Sequence, residues 1–338
     1  MKIELEPRIE PILPPYLPPR WLRHGHINTI YSYLRPRRLQ PPAPEAHWLA
    51  AEEGVELLLE CNWQAAPAPA LLLLHGLEGD SRVGYMQSLA AKALARGWHA
   101  VRMNVRGCGA SDARCRTLYN SGLSQDLLRA AEWTAARPGV AGLFLAGYSM
   151  GGNTVLKLLG ERGAEGIRGL LAAGVVSACL DLAPSADALH RPANRVYEWR
   201  FLRRLRRKAR ARAARHPQLY RMPRLESIRS IRDFDDRVTA PHMGYAGAAD
   251  YYDRASAARV LERIAAPALI IHAEDDPFIV LTEESRRRIA ANPALTLLAP
   301  RHGGHCGFMQ PANGAEDAYW AENRLLQFFA AHVIQPQQ

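Results

Sequence analysis

One serine stands inside a fence of glycines in Ala146-Gly-Tyr-Ser-Met-Gly-Gly-Asn153, straight after the apolar run Gly142-Leu143-Phe144-Leu145. A serine hydroxyl attacks a carbonyl well only when a base takes its proton, an acid orients the base, and donors receive the oxyanion that forms. The pattern G-x-S-x-G arises by accident in roughly one chain of this length in ten, so by itself it could be a turn. Its setting gives it meaning. An apolar run of strand length leads in and a helical stretch leads out, so Gly147 and Gly151 would spare the collisions that side chains would make where the chain doubles back. Gly152 would let that helix sit close to the sheet. Ser149 is therefore the candidate nucleophile.

The partners follow in chain order. Asp275 and Asp276 close the apolar stretch Ala268-Leu-Ile-Ile271, 126 and 127 residues after Ser149, and His305 comes 29 residues beyond Asp276. Serine, then acid, then histidine is the order expected when a strand-to-helix turn carries the nucleophile. Asp276 stands four residues past His272 at the strand end and is favoured as the acid; Asp275 is the alternative, and both could merely cap a turn. His305 follows Gly303 and Gly304, which would let its loop reach over the sheet edge, and is favoured as the base over His302. The oxyanion donors should be the backbone N–H of Met150, next after the nucleophile, and that of Leu77, in a loop that Gly76 and Gly79 allow to turn. His75, in the same loop, reads as structural.

No metal or organic cofactor is called for. His302, His305 and Cys306 lack a second cysteine or acid at ligand spacing, so a zinc site is not expected. The five cysteines, Cys61, Cys108, Cys115, Cys179 and Cys306, are odd in number and scattered, which reads as reduced thiols.

These side chains need a frame. From Ala70 onward, apolar runs of strand length alternate with helical stretches of about a dozen residues, which implies βαβ units and a mostly parallel sheet with helices on both faces. The helices fall at Val83 to Ala95, Ser124 to Ala136 and Met150 to Gly160; a hairpin is expected before them, at 46–51 and 55–61. The alternation stops near Leu180 and resumes at Pro267. The expected division is a Pro-rich arm over 1–45, holding ten of the 24 prolines, extended or irregular and packed on the core; a first core segment over 46–180; a helical, basic cap insertion over 181–263; and a second core segment over 264–338. That last segment should close with a helix from Ala315 to Ala331.

The formal net charge is +10, and nine basic residues fall between Arg200 and Arg215. Phe201, Leu205, Ala209 and Ala213 recur there every four residues, giving a helix with one apolar stripe and a basic remainder. A solvated helix face is the plain expectation, and peripheral contact with an anionic membrane is the second. Nucleic acid is not expected as a partner, since no zinc-finger spacing or RNA-binding aromatic signature accompanies the charge. No apolar run reaches the roughly 18 residues of a membrane span. Acidic residues and prolines at the start are unlike a secretory signal, so a cytoplasmic location is expected.

Nine ordered segments together resemble the YheT-like esterase family of bacteria, within the α/β-hydrolase fold. They are RHGHINT (23–29), LLHGLEG (73–79), NVRGCG (104–109), LYNSGLSQDL (118–127), GYSMGGN (147–153), FDDRVTAP (234–241), GYAGAADYY (244–252), HAEDDPF (272–278) and HGGHCGF (302–308). The resemblance runs from about Trp21 to Phe329. It implies a capped α/β-hydrolase with Ser149, Asp276 and His305 as triad. Asn28 and Asn120 depart from the residues usual in relatives. The expected activity is hydrolysis of carboxylic esters, small-molecule acyl esters of a lipid-like kind, through an acyl-enzyme on Ser149. An acyltransferase or thioesterase using the same triad is the alternative within enzymes, and a non-catalytic membrane- or partner-binding protein is the alternative outside them.

Overall fold

The computed structural model describes residues 13–333. Eight strands form one sheet in the order β1-β2-β4-β3-β5-β6-β7-β8. The hairpin β1 (Glu45–Glu52) and β2 (Val55–Asn62) is antiparallel, and β2 meets β4 (His99–Asn104) antiparallel. From β4 onward β3 (Ala68–Leu74), β5 (Val140–Tyr148), β6 (Leu170–Val176), β7 (Ala268–Ile271) and β8 (Leu295–Leu298) run parallel. The central strands read as continuous apolar runs because both faces are covered. Alternate residues divide between the two sides: Leu72, Leu74, Leu143 and Leu145 join one apolar cluster, while Leu71, Leu73, Phe144 and Ala146 join the other.

The helices follow the alternation closely. In chain order they are α1 (Gly25–Leu34), α2 (Gly84–Leu94), α3 (Ser124–Ala135), α4 (Met150–Arg162), α5 (Leu182–Leu189), α6 (Arg195–Arg215), the short α7 (Ile231–Phe234) and α8 (Ala240–His242), α9 (Ala248–Ala255), α10 (Glu283–Ala291) and α11 (Trp320–Ala330). A π-helical turn, Asp235–Thr239, joins α7 to α8. Everything from α5 to α9 lies between β6 and β7 and contains no strand.

Two expectations are corrected. The proline-rich arm is not wholly extended, because Gly25–Leu34 coils into α1. This stretch is free of proline, and glycines let it dock. A Cβ at Gly25 would lie 1.9 Å from the Asp275 carbonyl oxygen, one at Gly304 2.3 Å from Gly25 O, and one at Gly307 2.2 Å from Asn28 Oδ1. The arm is further held by Arg37 on buried Glu322 at 3.0 Å and by the Tyr16 hydroxyl on Met309 O at 2.7 Å. Its first twelve residues lie outside the described part. The closing helix begins at Trp320 rather than Ala315, because a turn comes first: Gln310 N–H bonds to Ala318 O at 3.0 Å, and the Asp317 carboxylate accepts the Tyr319 N–H at 3.1 Å.

Candidate active site

Ser149 occupies the turn between β5 and α4 with φ 54 and ψ −118. A non-glycine residue there is strained, and the surroundings enforce it. A Cβ on Gly147 would come 2.5 Å from Gly151 O, and one on Gly151 2.5 Å from His75 O. The Ser149 N–H bonds to Val176 O at 2.9 Å, fixing the turn to β6. Among the described residues four more non-glycine residues have positive φ, namely Glu78, Ser177, Cys306 and Phe308. All five lie where the loops after β3, β5, β6 and β8 leave the sheet, so the strain is gathered at one place.

His305 and Asp276 are brought together. His305 Nδ1 lies 2.8 Å from Asp276 Oδ2, and Asp276 Oδ1 accepts the N–H groups of Phe278 at 3.1 Å and Ile279 at 2.9 Å. Burial would raise the Asp276 pKa, but the charge and hydrogen bond of His305, with the Ile279 amide, hold it below the usual carboxylate value. An ionised acid fixes the proton on Nδ1 and leaves Nε2 free. Burial likewise works to lower the His305 pKa, but the Cys306 sulfur and the Asp276 carboxylate reverse this and hold it above the ordinary imidazole value. The loop is pinned from three sides: His305 N–H donates to Thr29 Oγ1 at 2.8 Å, Cys306 N–H to Ser177 Oγ at 3.0 Å, and Gly304 N–H to Asp275 Oδ1 at 2.8 Å. Cys306 Sγ lies 3.9 Å from Val176 O, the carbonyl that also receives the Ser149 N–H. The serine turn and the histidine loop thus meet at the end of β6. Ser149 Oγ makes no hydrogen bond to any described residue.

The neighbours weighed as alternatives form a looser pair. His302 Nδ1 lies 3.5 Å from Asp275 Oδ2, and neither atom has a hydrogen-bond partner among the described residues. Asp275 serves instead as the acceptor for the loop amide at Gly304.

In the loop after β3, the amides on either side of Leu77 are taken up. Gly76 N–H donates to the Tyr85 hydroxyl at 3.0 Å, Glu78 N–H to that of Tyr119 at 3.2 Å, and Gly79 N–H to Gly76 O at 3.0 Å. Leu77 N–H has no such partner among the described residues, and the Met150 N–H, at the start of α4, is one of the unmatched amides of a helix N-terminus. A Cβ on Gly76 would lie 3.6 Å from Ser149 Oγ, so the loop abuts the hydroxyl. His75 is fully buried and accepts Val105 N–H at Nε2 (3.1 Å), which leaves Nδ1–H to donate to Gly76 O (2.8 Å). Burial pushes its pKa down to about 4, so it stays neutral and braces the loop against β4.

Ser149, Met150 and Leu77 all line one partly open cavity. Leu182 and Leu189 of α5, Phe201 and Leu205 of α6, and Phe234 of α7 make most of it apolar. The Phe278 ring, also in its wall, packs 4.4 Å from that of His305.

Sequence reading missed several residues that shape this site. Lys208 of α6 pairs with Glu78 at 2.7 Å, and the Tyr119 hydroxyl donates to Glu78 at 2.6 Å, so the inserted helix clasps the loop that carries Leu77. Asp235, in the π-turn, faces the cavity wall and accepts the hydroxyls of Thr239 and Tyr252, each at 2.7 Å. Burial pushes its carboxyl up to about 6 against those hydrogen bonds. The RHGHINT and FDDRVTAP segments were the available signals, but neither states what its residues touch. Asn28 is a packing residue here, whereas Asn120 stands in the cavity wall. Buried Asn28 donates to the Tyr16 hydroxyl at 2.8 Å, and Asn120 accepts Gly122 N–H at 2.7 Å.

Comparison with known proteins agrees with this architecture. A family model described as alpha/beta hydrolase fold matches residues 69–312. "Putative esterase YheT" of Escherichia coli K12 is 32% identical over 298 residues, covering 85% of each chain. A monoacylglycerol lipase of Saccharomyces cerevisiae is 29% identical over 269 residues, covering 77% of this chain and 58% of its own. Among solved structures, a 2,6-dihydroxy-pseudo-oxynicotine hydrolase superposes with a TM-score of 0.58 at 17% identity, covering 87% of this chain and 69% of that one.

Proposed function

The chain belongs to the YheT-like family of the α/β-hydrolase fold, and from that premise we propose that it cleaves carboxylic esters with Ser149 as nucleophile, His305 as base and Asp276 as the acid that orients it. The observation that carries this reading is the strained serine opening on an apolar cavity, with the loop that meets its turn at Val176 carrying a histidine whose Nδ1 is held by a buried carboxylate. His305 Nε2 takes the hydroxyl proton as Ser149 Oγ bonds to the ester carbon. The carbonyl pair moves to oxygen, where the Leu77 and Met150 amides receive it; such donors are worth about 3–4 kcal/mol each in other enzymes. Collapse expels the alcohol, which leaves with the proton from His305. Water then repeats the sequence on the acyl-enzyme and releases the acid.

The apolar wall supports an acyl chain as the group held in the cavity, and lipid esters as the substrate class. The yeast relative's name, a monoacylglycerol lipase, favours the same class. Ser149→Ala should lower turnover of p-nitrophenyl acyl esters by at least about a thousandfold and remove labelling by a fluorophosphonate. Assayed across chain lengths, the wild type should prefer medium or long chains to acetate. A flat series, or a preference for acetate, would contradict the lipid-ester assignment.

A further inference from the structure

The large apolar side chains that remain exposed are gathered rather than scattered. Ile27, Ile30 and Leu34 lie along one stripe of α1, at 45%, 48% and 68% exposure, with Trp21 just before it at 54%. Val196 and Trp199 of α6 are 74% and 60% exposed. The two helices lie side by side: the His26 ring stacks on that of Tyr197 at 5.7 Å, and the Arg200 guanidinium sits 4.4 Å over the Tyr33 ring. Their outward stripes therefore form one surface. A soluble chain rarely leaves so many large apolar groups together without a partner for them.

The charges around that surface have one sign. Residues 13–44 contain five arginines and no acid. Exposed Arg20, Arg23, Arg35 and Arg38 belong to that stretch, and Arg195, Arg203 and Arg207 continue the outward face of α6. None of these seven pairs with a carboxylate among the described residues. The basic run further along α6 is spent differently. Lys208 is paired with Glu78, Arg210 with Glu226, and Arg212 and Arg215 with Asp112. Within the arm and α6, the free positive charge thus flanks α1 and lies on Arg195, Arg203 and Arg207 of α6, around the apolar stripes.

We propose that this α1–α6 face docks the protein on an anionic lipid bilayer, with Trp21, Ile27, Ile30, Leu34, Val196 and Trp199 entering the interface and the flanking arginines meeting lipid phosphates. Exposed tryptophans ringed by arginines on an otherwise soluble helix pair suit the headgroup boundary, where each ring has an apolar body and a polar edge. The inner sides of the same elements hold the site. Thr29 of α1 bonds to the His305 amide at 2.8 Å, and the Tyr197 ring packs 5.1 Å from that of Phe278. Docking therefore sets the candidate active site close to a source of the esters proposed above. The contact itself requires no catalysis.

The test is sedimentation of the full chain with phosphatidylcholine vesicles, with and without phosphatidylglycerol. Wild type and Ser149→Ala should both bind the anionic vesicles, and both should bind the neutral ones weakly. Ile30→Ser/Trp199→Ser should lower anionic-vesicle partitioning by about tenfold or more while hydrolysis of a soluble short ester stays at the wild-type rate. If that pair fails to fold by circular dichroism, Arg203→Glu/Arg207→Glu, wholly at the surface, should give the same loss. The proposal is overturned if the wild type ignores anionic vesicles, or if folded variants bind as well as it does. It is also overturned if the face serves only to join two copies, seen as a wild-type dimer that the double variant dissolves with no vesicle binding in either. Vesicle binding without ester turnover would remove the catalytic reading and leave this one standing.

Discussion

At the scale of residues, the arrangement depends on one protonation state. His305 can accept the serine proton only when neutral, and Asp276 and Cys306 hold its pKa above the free imidazole value. Activity should accordingly climb with pH, with a midpoint above about 6.5. Asp276→Asn should lower kcat by about ten-thousandfold, because the wrong imidazole tautomer is then favoured, and should shift the remaining midpoint downward. Asp275→Asn should cost far less. Equal losses from the two substitutions in a pH-rate series would reverse the assignment. The choice between the adjacent acids was legible in the sequence only through the four-residue step from His272, and that between His302 and His305 only through two glycines. Contacts distant in the chain, such as Thr29 on His305, left no such mark.

Asp235 gives a second residue-scale prediction, for stability rather than rate. Its folded pKa of about 6 lies above the usual aspartate value near 4. The folded state therefore holds a proton that the unfolded state has lost between those values, and stability falls as pH rises through that window. Asp235→Asn lacks this penalty. In urea titrations its midpoint relative to wild type should move upward as pH rises from about 4 to about 7. A difference that does not change with pH would show that the carboxyl carries no such penalty.

At the scale of elements, the tightest constraint is the crossing of the β5–α4 turn over the end of β3. A Cβ at Gly151 meets His75 O at 2.5 Å and Leu74 O at 2.6 Å, both backbone atoms that cannot swing aside. Gly151→Ala should cost about 1–3 kcal/mol and lower kcat as the turn shifts, read by thermal melting and ester assays. A fully active variant with unchanged Tm would mean the crossing has slack. Lys208→Met should weaken the clasp on the Leu77 loop, lowering kcat more than it changes KM for a soluble ester; an unchanged kcat would show that the loop holds its shape alone. These elements differed in how well the sequence announced them. Strands and core helices had strong apolar periodicity and glycine punctuation, so their positions came within a few residues. Helix α1 was hidden, because prolines on either side of it made the arm read as irregular. The basic helix was legible as a helix, but Glu78 and Asp112, which pair with Lys208, Arg212 and Arg215, lie 100 or more residues earlier.

For the whole molecule, the sheet, the five helical segments inserted after β6 and the arm act together. The sheet ends present Ser149, Asp276 and His305, the insertion roofs the cavity, and α1 locks the histidine loop through interdigitated glycines. Among the described residues no helix is long and apolar enough to cross a membrane. The alternation of strands and helices made the core legible as a mostly parallel sheet. The packing of α5 to α9 into a roof was not, since side-chain contacts between short helices have no periodic signature in the chain. The proposed chemistry turns on a serine held at positive φ and activated by a histidine and a carboxylate that lie far from it in sequence. The most direct measurement is mass spectrometry of the protein after reaction with a fluorophosphonate, for wild type and His305→Ala. One adduct is expected, on the peptide containing Ser149, formed rapidly in the wild type and at least about a hundredfold more slowly in the variant. An adduct on another residue, or equal labelling rates in the two proteins, would contradict it.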